Sequence, residues 1–304
     1  MLVKKKKSVS VGIILYNSKR YLPYMLESLR SQKDVEIEIV VLDNTNGESD
    51  DVGFVQKEFP EVKIFQKENT GFSKGHNFLI SQAKYPLYAC LNPDMIFDEY
   101  FLDHLSEAFS LQNVASASGK LLRWDFNNQE KTDIIDSCGL LKTSSFRFFD
   151  MGQSEQDSGQ YDQEVFIFGP SGAAALYRIS ALEKIKQNGE IFDESFFMYK
   201  EDCDLAAKLH YAGYDSAFVS SAQAWHDRTV SSDEVGSFLV RQKKKGFLVK
   251  VWSFLHQKYL VKNHWKHLSL FEKINTASSL FAEHIYYLLF DRAVFFEVMK
   301  RGRN

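Results

Sequence analysis

The architecture predicted by this sequence is an α/β domain on a mostly parallel sheet, with helices on both faces and a helical tail behind it. Three observations predict it. Short β-branched runs alternate with segments of helical period, which is the pattern of strand–helix–strand units with right-handed crossovers. Three of the first four runs end on Asn or Asp, and ligands on such sheets gather at the carboxyl ends of the strands. The charge also changes sign along the chain. Of 37 Lys+Arg and 40 Asp+Glu, residues 238–304 hold 13 and 4 (net +9), which leaves 24 and 36 (net −12) for residues 1–237.

The elements follow in order. Ser10-Val11-Gly12-Ile13-Ile14-Leu15-Tyr16 has the continuous apolar character of a buried parallel strand. Leu22, Met25, Leu26 and Leu29 then recur at helical spacing. Further strands are expected at 37–42, 62–65 and 87–91, with helices around 52–58 and 73–83 between them. Residues 120–165 show little periodicity, and the polar, glycine-punctuated stretch 152–161 within them reads as a functional loop region. Residues 166–177 read as strand and turn around Gly169-Pro170-Ser171-Gly172-Ala173. A helix is predicted over 201–212, acidic in its first turn and closed by Gly213 as a left-handed cap. A strand at 216–219 precedes His226. In the tail, Leu248, Val251, Trp252, Leu255 and Tyr259 repeat at helical spacing, as do Tyr286, Leu289, Phe290, Ala293 and Phe296.

Composition narrows the function classes. At 44% hydrophobic and 25% charged the 304-residue chain is an ordinary globular one. No linker of Pro, Gly and Ser divides it, so the expected organisation is a main domain over 1–237 and a tail over 238–304. Cys90, Cys138 and Cys203 are odd in number, widely spaced and free of a CxxC, which fits neither a disulfide framework nor a zinc knuckle and suits a reducing cytoplasm. The start, Met1-Leu2-Val3 with Lys4 to Lys7 and a brief apolar run, lacks the layout of an export signal. No stretch reaches the roughly 18 apolar residues a membrane span needs. A nucleic-acid partner is not expected, because the body is acidic and no recognisable module accompanies the basic tail.

Several positions carry chemistry. Asp94, after a buried run and Pro93, offers a hard oxygen at the sheet edge, suited to Mg²⁺ or Mn²⁺ on a diphosphate; Asn92-Pro93-Asp94 is equally an ordinary turn. Glu201-Asp202-Cys203-Asp204 sets carboxylates among aromatics, where apolar walls and like charges raise a carboxyl pKa toward that of a general base; acidic residues also simply favour a helix start. His226 is a candidate imidazole ligand, although a lone histidine is also commonly structural. Gly71 to Asn77 matches neither a P-loop nor a dinucleotide fingerprint. As a glycine loop entering a helix, it offers N–H groups to an anion or merely reverses the chain.

Taken in sequence, Val11-Gly12-Ile13-Ile14-Leu15-Tyr16-Asn17, Val41-Leu42-Asp43-Asn44, Asn69-Thr70-Gly71-Phe72 with Gly75 and Asn77, Asn92-Pro93-Asp94, Phe192-Asp193-Glu194 leading to Glu201-Asp202-Cys203-Asp204, and His226 resemble the family 2 glycosyltransferases of GT-A fold. The resemblance covers about residues 8–230, and its details look most like bacterial rhamnosyltransferases of surface-polysaccharide assembly. It implies a Rossmann-like nucleotide-diphospho-sugar transferase fold. It also implies that Tyr16, Asn17 and Asp43 face the nucleoside, that Asn77 and Asn92 lie by the donor, and that Asp94 occupies the metal-binding DXD position with His226 as second ligand. Asp202 would be the general base, with Glu201 orienting acceptor or donor sugar. Asn92 departs from the motif by replacing its first Asp, which removes one charged ligand. A single base and no candidate nucleophile imply inversion.

The implied activity is metal-dependent transfer of L-rhamnose from dTDP-rhamnose to a glycan or polyprenyl-diphosphate-linked acceptor. A UDP-linked galactofuranose or hexose is the rival donor, and a GT-A-like module that binds nucleotide or glycan without turnover is the rival class. The basic, aromatic tail would lie on the anionic inner leaflet, or else pack on the catalytic domain or in a homodimer.

Overall fold

In the computed structural model the described residues are 7–228 and 246–302. The start of the chain, the 237/238 boundary and Lys243 to Lys245 lie outside them.

The strands β1 (Lys7–Leu15), β2 (Val35–Asp43), β3 (Lys63–Gln66) and β4 (Leu87–Leu91) pair in parallel in the order β4-β1-β2-β3. Continuing outward from β4, β11 (Ala174–Arg178) is antiparallel to both β4 and β6 (Val114–Asp125). Next, β12 (Asp215–His226) runs parallel to β6, and β10 (Phe166–Ile167) closes that edge. The short β5 (Met95–Phe97) pairs with β12, and β7 (Glu130–Ser137) with β6. A separate hairpin joins β8 (Leu140–Lys142) to β9 (Phe148–Asp150). The sheet is thus mixed, parallel through its N-terminal half.

Strand alternation sends apolar side chains to both faces, and each face is covered. Val9, Val11, Ile13 and Leu15 of β1 meet α1 (Leu22–Arg30), α2 (Asp51–Glu58) and α4 (Phe101–Glu107). On the other face Val40, Leu42, Tyr88 and Cys90 meet α3 (Gly71–Ser81), α5 (Ile179–Ile185) and α6 (Glu201–Tyr211). Double coverage is why these strands read as near-continuous apolar runs.

Residues 120–165, which show little periodicity, nonetheless hold the end of β6 and all of β7, β8 and β9. Of the β6–β7 hairpin, β7 opens with Glu130, Lys131, Thr132 and Asp133, so its outer half carries no apolar alternation. The loop reading does fit 152–161, whose Asp157 ion-pairs with the buried Lys120 at 2.9 Å, while Asp162 just beyond it does so at 2.6 Å. Helix α3 begins at Gly71, two residues before the expected start near 73, so the stretch from Gly71 to Asn77 read as a glycine loop is helical.

The tail forms α7 (Phe247–His264), α8 (Leu270–Phe290) and α9 (Arg292–Arg301). Asp291 breaks the second apolar repeat between two helices. One hydrophobic cluster joins Leu260, Val261 and Leu268 to Phe146, Phe196 and Cys203, so the helices pack directly on the α/β layer.

Candidate active site

The carboxyl-end rim is built strand by strand. Tyr16 and Asn17 follow β1: Tyr16 is 58% exposed, and Asn17 holds a left-handed φ of 55°, which a short polar side chain tolerates. Register pairs Leu15 with Asp43, placing Asp43 next to them. Its carboxylate is buried and occupied. Oδ1 accepts from the Thr45 N–H (3.2 Å) and hydroxyl (2.7 Å), and Oδ2 accepts from the Gly47 N–H (2.6 Å), so Asp43 shapes the turn after β2.

Antiparallel pairing of β5 with β12 sets Met95 opposite His226 and brings Asp94 to the imidazole. Nε2 of His226 lies 3.4 Å from Asp94 Oδ1, while Nδ1 meets Asp136 Oδ2 at 2.9 Å. Arg228 bridges Asp136 Oδ1 (2.8 Å) and Asp150 Oδ2 (2.9 Å). Burial by itself would lower the His226 pKa, but the charge of Asp94 and the bond to Asp136 outweigh it and push it up to about 10. Burial opposes ionisation of Asp136 as well, yet His226 and Arg228 hold it below the usual carboxylate range.

A divalent cation entering between Asp94 and His226 would have to displace the proton that this geometry holds on Nε2. A metal-binding histidine is commonly oriented by a carboxylate on its other nitrogen, which fixes the direction of the ligating one. Here that direction contains the Asp94 carboxylate, giving one hard oxygen and one imidazole nitrogen that a nucleotide diphosphate would complete. Among the described residues no group of three or more His, Cys, Asp or Glu is placed to hold a metal by itself.

A chain of backbone bonds carries the rim to α6. The Asn92 N–H donates to Ala173 O at 2.8 Å, and the adjacent Gly172 N–H donates to Asp202 Oδ2 at 3.0 Å. Asp202 Oδ1 accepts from the Cys203 N–H at 2.7 Å. A Cβ on Gly172 would stand 3.2 Å from Cβ of Asp202, so glycine permits this close approach. The neighbouring carboxylates have separate fates. Glu201 is buried with Oε2 unpartnered, and burial, then the charge of Asp202, raises its pKa well above the ordinary value. Asp204 turns away to His264 Nε2 (2.9 Å), Lys208 (2.8 Å) and Asn263 (3.1 Å).

The turn before α6 is left-handed at two successive residues, Tyr199 (φ 69°) and Lys200 (φ 71°), and it is clamped from both sides. From α3, the Phe72 N–H donates to Phe197 O at 2.8 Å; Gly71 (φ +77°) permits this, since a Cβ there would meet that oxygen at 2.5 Å. From α7, Nδ1 of the buried His256 contacts Met198 O (2.8 Å) and Tyr199 O (3.0 Å), and Trp252 stacks on Phe197. Asn77 pins the approach to this turn: its amide donates to Phe192 O (2.8 Å) and accepts from the Phe192 N–H (2.9 Å). Sequence reasoning missed Asp136, Asp150, Arg228 and His256, whose partners lie far away along the chain.

A mixed, mostly parallel sheet of this topology, covered by helices on both faces, is that of the GT-A fold. Solved structures agree on the fold. S. aureus TarS 1–349 matches with TM-score 0.56 at 15% identity, covering 94% of this chain and 73% of that one. The mannosyltransferase PcManGT from Pyrobaculum calidifontis, in complex with GDP-Man and Mn²⁺, matches with TM-score 0.54 at 14% identity, covering 98% and 74%. The chain belongs to glycosyl transferase family 2, whose model matches residues 10–186, and is a nucleotide-sugar glycosyltransferase. It is 25% identical over 250 residues, 73% of this chain and 76% of the relative, to an N-acetylglucosaminyl-diphospho-decaprenol L-rhamnosyltransferase of Mycobacterium tuberculosis H37Rv.

Proposed function

We propose that this glycosyltransferase moves L-rhamnose from dTDP-rhamnose, with inversion, to a hydroxyl of a polyprenyl-diphosphate-linked glycan in surface-polysaccharide synthesis, at the cytoplasmic face of a membrane. The observation that carries the reading is the Asp94–His226 pair, braced by Asp136, on the same rim as Asp202. The name of the mycobacterial relative supports the sugar and the kind of acceptor.

Asp94 and His226 would hold Mg²⁺ or Mn²⁺, which neutralises charge on the departing diphosphate. Asp202 takes the proton of the attacking hydroxyl, its carboxylate oriented by the Gly172 and Cys203 N–H groups. Glu201, whose pKa burial and the charge of Asp202 raise, would orient acceptor or donor sugar beside the base. Tyr16 and Asn17 line the nucleoside end, with Asp43 holding its wall and Asn77 and Asn92 supporting the donor side.

The test is acceptor-free hydrolysis of dTDP-rhamnose and of UDP-galactofuranose and UDP-hexoses, with Mn²⁺ or Mg²⁺. Slow release of dTDP that stops on chelation is the expected result. Release of UDP alone transfers the assignment to a UDP-sugar. Nucleotide-sugar binding by thermal shift with no release from any donor overturns catalysis.

A further inference from the structure

We propose that helix α8, with the start of α9, docks flat on an anionic lipid bilayer through an apolar stripe that the fold leaves uncovered. The stripe itself is a property of the tail, although its usefulness to the enzyme rests on the lipid-linked acceptor proposed above.

Phe271, Ile274, Phe281, Ile285, Leu289 and Phe290 are all exposed, with Phe281 at 69% and Phe290 at 74%. Along α8 the first five recur at the spacing of one helix face, while Phe290 stands off that face at the C-terminal end, and at ~1.5 Å per residue the helix is roughly 30 Å long. An apolar groove of about 560 Å³, walled in part by Trp265, Leu280 and Phe295, opens beside them. The opposite face is committed to the protein. Thr276, Glu283 and Tyr287 are buried, and Glu283 pairs with Arg147 of the β8–β9 hairpin at 2.6 Å. Such one-sidedness describes a helix that lies in an interface. Among the described residues no helix is long and apolar enough to cross a membrane.

Charge selects the occupant. All four carboxylates of the tail are neutralised: Glu272 by Lys142, Glu283 by Arg147, Asp291 by Lys250 and Glu297 by Arg301. By contrast Lys262, Lys266, Lys273, Arg292 and Lys300 have no ion-pair partner among the described residues. The unpaired charge of the tail is therefore all positive, complementary to anionic headgroups. Two copies brought together through tails with that surplus of positive charge would repel, which disfavours self-pairing.

The tail also reaches the site. Helix α7 holds the 198–199 carbonyls through His256, and α8 holds the hairpin whose Asp150 anchors Arg228. A bilayer on α8 would thus fix the rim relative to an acceptor carried in the same membrane.

The experiment is flotation of the full chain with vesicles of phosphatidylcholine alone or with about 30% phosphatidylglycerol. Wild type should float with the anionic vesicles, far less with neutral ones, and less again at high salt. The double variant Phe271→Asp, Phe281→Asp, both sites exposed on the stripe, should lose at least about tenfold in partitioning while keeping its melting temperature and its acceptor-free donor hydrolysis. Lys262→Glu with Lys266→Glu, altering charge without touching the stripe, should lose binding to anionic vesicles only. Equal flotation of wild type and the Phe variant overturns the proposal. So does a dimer, seen by light scattering, that the Phe variant dissolves in a protein that ignores vesicles. Donor hydrolysis is read separately, so failure of docking and failure of the transferase reading are distinguishable.

Discussion

His226 gathers the residue-scale argument, because each of its nitrogens faces a carboxylate that arrives from elsewhere in the chain. Orienting partners of a metal-bound histidine typically account for 10–100-fold in metal affinity. Asp136→Asn is therefore expected to weaken Mn²⁺ binding by about that factor, as read by thermal shift across a metal titration in the presence of nucleotide, with the fold intact. Asp202→Asn addresses the other half of the site. Loss of a general base costs ~10²–10⁴ in rate, so transfer should fall by that much while donor affinity stays within a few fold; near-normal turnover would remove Asp202 from the role. Asp94, Asp202 and His226 could be singled out in the sequence because they stand beside recognisable strand ends or a helix start. Asp136, Arg228 and Asp150 could not, because a carboxylate 90 residues from the imidazole it orients leaves no local pattern.

Elements decide how firmly that chemistry is aimed. Helix α6, which carries the proposed base Asp202, begins after two left-handed residues without a side-chain cap, and α7 supplies what the turn itself lacks, through His256. Burial lowers the His256 pKa from 6.5 to about 4, despite opposing bonds to the Tyr199 and Met198 carbonyls. A histidine whose pKa is lower folded than unfolded contributes stability that is present above pH 6.5 and lost as pH falls toward 4. The melting temperature should accordingly drop across that window, and His256→Gln, which keeps a donor but does not titrate, should flatten part of the drop. The same variant should lower kcat more than it raises KM for the donor, since it loosens the turn that precedes Asp202. Strands β1, β2 and β4 were legible because burial on both faces leaves a continuous apolar signature. The outer half of β7 has a polar face, and its pairing with β6 is recorded in no local periodicity.

At the scale of the whole molecule the tail and the sheet are one folding unit. Leu260, Val261 and Leu268 cover Phe146, Phe196 and Cys203, and Asp204 of α6 is bonded to Asn263 and His264. The full chain should unfold in a single calorimetric transition, and a chain ending at residue 228 should expose that cluster, bind a hydrophobic dye and aggregate. A stable, monomeric 1–228 fragment with full donor hydrolysis would show the helices to be an accessory.

Local sequence determined the α/β class, the polar residues at the strand ends, the acidic start of α6 and the reversal of charge in the tail. Each of these is written in neighbouring residues, through side-chain period or local composition. Tertiary structure decided which carboxylate braces the imidazole, which acid at the start of α6 is buried without a partner, and which apolar residues of α8 remain uncovered. Those outcomes depend on burial and on partners distant in the chain, and both exist only once the layers have packed.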